Sequence, residues 1–200
     1  MPIFLETIAT NMKKPGVFCL IMFASLAAMA QRDSLPYATF PAAPDHYSAG
    51  TVVSRLLDGL GFRYYWATEG LRPVDLAFRP SPQARTSQET LEHIYSLSSM
   101  IINAAGVNEM PPGQYKTFEE LRKATLENFK KASTIIAGYS DHDMENLKVA
   151  FQGKNLPFWN MINGPISDCL WHIGQVVSFR RSSGNPFSDK VEMFLGIIMN

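Results

Sequence analysis

Asp168 and His172 stand four residues apart in the stretch Asp168-Cys-Leu-Trp-His172-Ile-Gly-Gln175. On a helix, residues at that spacing lie one above the other on the same face. A carboxylate oxygen and an imidazole nitrogen placed this way can share one divalent ion. Two donors do not complete a site, so a third must come from another element. The chain has four histidines, His46, His93, His142 and His172. His93, in Leu91-Glu-His-Ile94, lies on a second helical segment whose same face carries Leu97 and Met100. His93, Asp168 and His172 together make two imidazoles and one carboxylate. That set suits Zn²⁺, Ni²⁺ or Fe²⁺ and leaves coordination positions open for water or substrate. Gln175, one turn beyond His172, fits a hydrogen-bond partner of a ligand rather than a ligand. Two plainer readings stand beside this one. A histidine on an apolar face can be a satisfied core residue, and Asp168 and His172 can pair as a polar couple with no metal.

The elements that must position these residues are helical. Apolar residues recur at helical spacing from Ser48 to Thr68 through Val52, Val53, Leu56, Leu57, Leu60 and Tyr64. Gly59 and Gly61 weaken that run or allow a close approach, and Gly70 ends it as a C′ residue. Residues 71–84 hold Pro73, Pro80 and Pro82 and read as a loop. Thr86-Ser-Gln-Glu89 and Thr117-Phe-Glu-Glu120 are two capping boxes, predicting helices to about Ala105 and Ala137, with a turn at Met110-Pro-Pro-Gly113 between them. Ser140 opens a short helical turn or loop, and Leu147 to Phe151 reads as a brief strand or helical turn. The last long helix is expected from near Pro157 to about Arg181, kinked at Gly164-Pro165 and stopped at Ser183-Gly-Asn-Pro186. A short amphipathic tail follows. Four apolar stripes with few strand signals predict an all-α protein, an antiparallel four-helix bundle.

Composition narrows the partners. Apolar residues are 46% and charged residues 18% of the chain, enough to fill a core. Eighteen basic residues balance eighteen acidic ones, so no overall field draws nucleic acid or anionic lipid. The N-terminus reads as a signal peptide over residues 1–30, started at Met1 or Met12. Lys13 and Lys14 precede an apolar run at 17–28, and Ala28-Met-Ala30 gives a cleavage site before Gln31. The run falls short of the about 20 residues of a membrane span, and Phe18 before Cys19 argues against a lipoprotein. The expected organisation is a signal peptide 1–30, an extended lead-in 31–47 and a helical domain 48–200. The product would be exported to a periplasmic or extracellular space, with no membrane span after cleavage. Loss of Glu6, Lys13 and Lys14 leaves 16 basic and 17 acidic residues. Loss of Cys19 leaves Cys169 alone, without an internal disulfide, and a small buried hydrophobe is its expected role.

Other clusters compete less well. Asp141-His142-Asp143 is a cluster of potential ligands, yet Asp at a helix start is ordinary capping, and consecutive side chains diverge. Tyr64, Tyr65 and Trp66 with Trp159 and Trp171 can line a ligand pocket or fill a core. Arg180-Arg181 meets the negative end of the last helix's dipole without needing a phosphate. No Gly-rich phosphate loop, nucleophile elbow or cysteine pair at zinc spacing is present.

The final helix resembles the DinB-like superfamily, including its YfiT type of metal-dependent hydrolases and thiol transferases. The resemblance lies in His172-Ile-Gly-Gln175 followed by Arg180-Arg181 and Gly184-Asn-Pro186, with a single histidine on the second helix, here His93. Phe62-Arg-Tyr-Tyr-Trp-Ala-Thr-Glu-Gly70 and Asn163-Gly-Pro-Ile-Ser-Asp168 look like an exported subgroup. The resemblance covers most of residues 48–186. It implies a bundle whose second and fourth long helices supply the metal ligands, often as a homodimer. Family members typically carry a histidine four residues before the position of His172; this chain has Asp168. A carboxylate leaves less positive charge on an ion than a third imidazole, making a bound water less acidic. The functions that follow are a metal-dependent hydrolase or group transferase on an unnamed small molecule, or a non-catalytic exported bundle that holds a metal or small ligand.

Overall fold

Capping and periodicity set three of the long helices where the residues predict them. In the computed structural model, which describes residues 35–107 and 115–199, α1 spans Ala49–Thr68. Ser48 caps it, its Oγ accepting from Thr51 N at 3.2 Å, and Gly70 leaves it with φ +69°, a conformation that L side chains rarely adopt. The 71–84 segment contains one helical turn, α2, at Pro73–Leu76. The Thr86–Glu89 capping box forms in full and opens α3, Ser87–Ala104. Thr117 opens α4, Phe118–Ala137, with only half of the expected box. Its Oγ1 accepts from Glu120 N, but Glu120 Oε2 takes the N–H of Lys116, at 2.6 Å, instead of the N–H of Thr117. The signal-peptide reading of residues 1–30 and the turn at Met110 to Gly113 lie outside the described residues.

The segment after α4 departs most from expectation. Ser140 caps a short α5, Asp141–Asn146, with Asp143 closing the box. Asp141 reaches further and accepts from Ala49 N at 2.7 Å, capping α1. Lys148–Phe151 forms β1, paired antiparallel with β2, Lys154–Pro157, in the register Val149 to Leu156. Gln152 and Gly153 both have positive φ, the pattern of a type I′ hairpin turn. Pro157 therefore ends a strand, and the final helix begins later, as the single turn α6, Trp159–Met161. A π-helical turn at Ile162–Ile166 carries Pro165 and leads into α7, Ser167–Ser182. Proline offers no N–H and crowds the carbonyl four residues back, and the wider turn accommodates both demands. The expected kink is thus a π turn ending just before Asp168. The C-terminal tail is a small hairpin, β3 Val191–Glu192 with β4 Ile197–Ile198.

The protein is mostly helical, and its long helices share one core. Contacts run from α1 to α4, α4 to α3, α3 to α7, and α7 back to α1. Leu57, Leu91, Ile94, Ile101, Leu126, Phe129 and Ile136 are fully buried between them. Helix directions are mixed rather than antiparallel throughout. α1 and α4 are antiparallel: Arg122 Nε donates to Thr68 Oγ1 at one end, and Ser133 meets Ser54 further along. α3 and α4 run parallel, since Asn128 Nδ2 donates to Ser98 Oγ and Tyr139 Oη to Ala105 O. Residues 105–117 connect the two helices. Tyr115, near the end of this connection, packs edge-on against Tyr95 of α3, with ring centroids 5.1 Å apart.

Two polar knots tie other segments to this frame. Tyr37 of the lead-in is buried, its ring filling the space a side chain at Gly61 would need. Its hydroxyl donates to the buried Asp58, which also accepts from Ser133 Oγ at 2.7 Å. Gly61 thus admits the lead-in rather than another helix. Arg180, expected at the end of its own helix dipole, is buried and reaches α1 instead. Its Nη1 donates to Trp66 O and Ala67 O at 3.1 and 2.9 Å, capping the carbonyl end of that helix. Cys169 is fully buried and its thiol is pushed up by that burial, as expected of a packing residue. No helix among the described residues is long and apolar enough to cross a membrane.

Candidate metal centre

α7 presents two adjacent stripes. Cys169, Ile173, Val176 and Arg180 point into the core. Asp168, His172 and Gln175 follow each other at the same spacing on the neighbouring stripe, at the margin of that core. On α3, His93 takes the corresponding marginal position, next to the fully buried Ile94. Packing of α3 on α7 therefore brings both margins into one seam.

There the three predicted ligands meet. His93 Nε2 lies 3.3 Å from Asp168 Oδ2, and His172 Nε2 lies 3.3 Å from Asp168 Oδ1. The imidazole rings stand edge to face, 81° apart in plane with centroids 4.8 Å apart. One donor atom from each residue falls within 4.8 Å of the others, the one such group of His, Cys, Asp and Glu donors among the described residues. Donors about 2.0–2.1 Å from a tetrahedral ion are separated by roughly 3.3 Å, so the two nitrogen–oxygen distances already have that scale. The group can hold a metal ion.

Hydrogen bonding sharpens this. Gln175 Oε1 lies 2.8 Å from His172 Nδ1. An amide oxygen only accepts, so Nδ1 carries the hydrogen. In neutral His172 the Nε2 atom is then a lone pair, and it faces a carboxylate oxygen at 3.3 Å. An Nε2 lone pair placed there is what a metal ion would take from an imidazole. Burial lowers the His93 pKa, with Arg85 and His172 adding to the effect and Asp168 opposing it. The neutral imidazole that a metal requires is favoured there.

The seam is half open. Side-chain exposures are 31% for His93, 38% for Asp168 and 13% for His172, so a held ion would keep a face toward solvent. Gln175 acts through His172 rather than on the ion. Its replacement by alanine frees the imidazole tautomer and should lower metal affinity about 10–100-fold, as losses of such supporting partners do. Titration of the variant against wild type checks this. An unchanged affinity would show that the amide does not orient the ring.

The other sequence candidates are elsewhere. His142 lies on exposed α5 beside Asn146, and Asp141 and Asp143 serve as caps. Tyr64 is core, whereas Trp159 and Trp171 are each 71% exposed and do not join it. Gly184-Asn-Pro186 belongs to a structural knot: Asn185 Nδ2 and Ser183 Oγ both donate to the fully buried Asp75. Asp75 escaped sequence reading: Arg72 is close by, but Ser183 and Asn185, which make the knot, lie more than 100 residues away. Comparison of the chain with protein-family models, curated proteins and solved structures gives no match.

Proposed function

We infer that this chain is a divalent-metal-dependent enzyme, a hydrolase or group transferase, built as a four-helix bundle of DinB-like type. The observation that carries the reading is the convergence of His93, Asp168 and His172 on one half-open point from two helices. Structural metal sites are closed by four protein ligands, whereas sites that do chemistry keep a position free. The Asp168 departure from a three-histidine pattern keeps the site a ligand set, because carboxylates ligate Zn²⁺, Ni²⁺ and Fe²⁺ alike. A bound ion of this kind polarises a carbonyl or lowers the pKa of a water. The chain's residues divide the remaining work. Asp168 brings a compensating negative charge between the rings, Gln175 fixes the His172 tautomer, and the open side of the seam admits a small molecule. The N-terminal residues favour export with residues 1–30 removed, and homodimer formation follows from the family resemblance.

Metal analysis of protein purified without a histidine tag tests the reading. Near one equivalent of divalent metal per chain is expected, removable by chelator and restored on adding metal back. Hydrolysis or group transfer on a panel of esters, amides and thiol acceptors should rise and fall with that metal. Absence of metal at neutral pH and after reconstitution would overturn the site. Stoichiometric metal with no turnover on any of the panel would leave a binding module.

A further inference from the structure

The described residues also form a concavity away from the metal seam. A groove of about 640 Å³ lies between the first half of α1 and the segment formed by α5, β2 and α6. Its floor is apolar, with Val53, Met144 and Phe158 buried beneath it. Its sides are apolar and uncovered: Val52 and Leu56, one helical turn apart on α1, are each nearly half exposed. Two aromatic side chains stand at the rim, Trp159 at 71% exposure and Tyr47 at 96%. Large aromatics this exposed lose little by binding something and gain the removal of their faces from water.

Charge selects the occupant. Among the described residues, Asp141 and Glu145 are the charged ones that line the groove, and no Lys, Arg or His joins them there. Asp141 is committed to the N–H of Ala49. Glu145 is exposed and lines the groove, and its backbone carbonyl accepts from Lys148 Nζ at 3.5 Å. Aromatic faces attract organic cations through their quadrupoles, and a neighbouring carboxylate adds to the attraction. An apolar trough with aromatic rims and a carboxylate suits a molecule with a hydrocarbon body and a cationic head. A simple hydrocarbon leaves the acid unused, and an anionic amphiphile is repelled.

We propose that the groove between α1 and α6 is a binding site for organic cations with an apolar body, such as alkylammonium compounds. It is separate from the metal seam and does not depend on the metal reading. Volume agrees with this class, since small-molecule sites run from about 300 to 1,000 Å³ with mostly apolar linings and few polar groups.

Calorimetric titration of the full chain with decyltrimethylammonium, decyl sulfate and an uncharged decyl glycoside, each below its micelle concentration, tests the proposal. The cation is expected to bind with one site per chain and about tenfold more tightly than the uncharged compound, with the anion weakest. Trp159→Ala and Glu145→Gln should each weaken the cation about fivefold. Both positions are exposed, and unchanged thermal melting confirms that the variants fold. Glu145→Lys should remove the preference for cation over anion. Equal binding of the three amphiphiles, or cation binding indifferent to both substitutions, would overturn the proposal. So would a concentration-dependent dimer abolished by Val52→Glu, because the groove would then be covered by a second copy of the chain.

Discussion

His172→Ala is expected to empty the metal centre. The imidazole is the most buried of the three donors, at 13% exposure, and the one whose tautomer a second residue, Gln175, holds. Structural zinc binding of about 10–16 kcal/mol shared among four ligands amounts to roughly 3 kcal/mol per ligand. Losing one such donor weakens binding on the order of a hundredfold. Protein that retains near one equivalent of metal through purification would then retain almost none. His93→Ala should act in the same direction, and Asp168→His should keep or raise affinity, since an imidazole replaces a carboxylate within the same seam. The readouts are metal content after dialysis and competition against a chromophoric chelator. Thermal melting without metal separates loss of a ligand from loss of fold, and His172→Ala should change it little. Full metal content in both alanine variants would show that the ion, if bound, sits elsewhere.

The site was legible because its chemistry is local on one side. Asp168, His172 and Gln175 declare a shared helical face by spacing alone, and His93 was found because few histidines compete with it. The long helices were legible for a similar reason, through apolar periodicity and the Thr86 and Thr117 caps. What escaped depends on distance. Lys116 and Thr117 offer neighbouring N–H groups to Glu120, and only the entry angle of the chain decides which it takes. The parallel course of α3 and α4 has no local signature, because the connection between them is long enough for either direction. β2 was hidden because Lys154-Asn-Leu-Pro157 lacks alternation, although Gln152-Gly153 marks its turn. The groove beside α6 arises only when α1 meets a hairpin whose second strand the residues do not announce.

Replacing Asp75 is expected to have the largest effect on stability. The carboxylate is fully buried and collects five hydrogen bonds. Arg72 donates from its backbone N, Nε and Nη2 at 2.8, 2.9 and 2.8 Å, and Ser183 Oγ and Asn185 Nδ2 each donate at 2.6 Å. Asn185 also donates to Gly70 O, so one acceptor joins the turn after α1, α2 and the end of α7. Asp75→Ala strands these donors in a site closed to water. Arg72 is half exposed and recovers solvent, which limits the loss to about 3 kcal/mol, or roughly 6–12 °C in melting temperature for a chain of this size. The charge gives the effect a pH signature. Hydrogen bonds from Arg72, then Ser183 and Asn185, hold the Asp75 pKa well below the usual carboxylate range, against the opposing pull of burial. A folded pKa below the unfolded value of about 3.9 means that the contribution is complete above about pH 4 and is lost as pH falls further. The gap between wild type and Asp75→Asn, followed by denaturant unfolding, should therefore be constant from pH 7 to 5 and narrow below pH 4. A constant gap down to pH 2.5 would refute a role for the ionised carboxylate. Metal affinity serves as the second readout, because α7 is set at its other end by the π turn beside Asp168. It should change less than about threefold at neutral pH, well short of the 10–100-fold lost with a partner that orients a ligand. A larger drop would mean that the knot at the end of α7 also aims the ligands at its beginning.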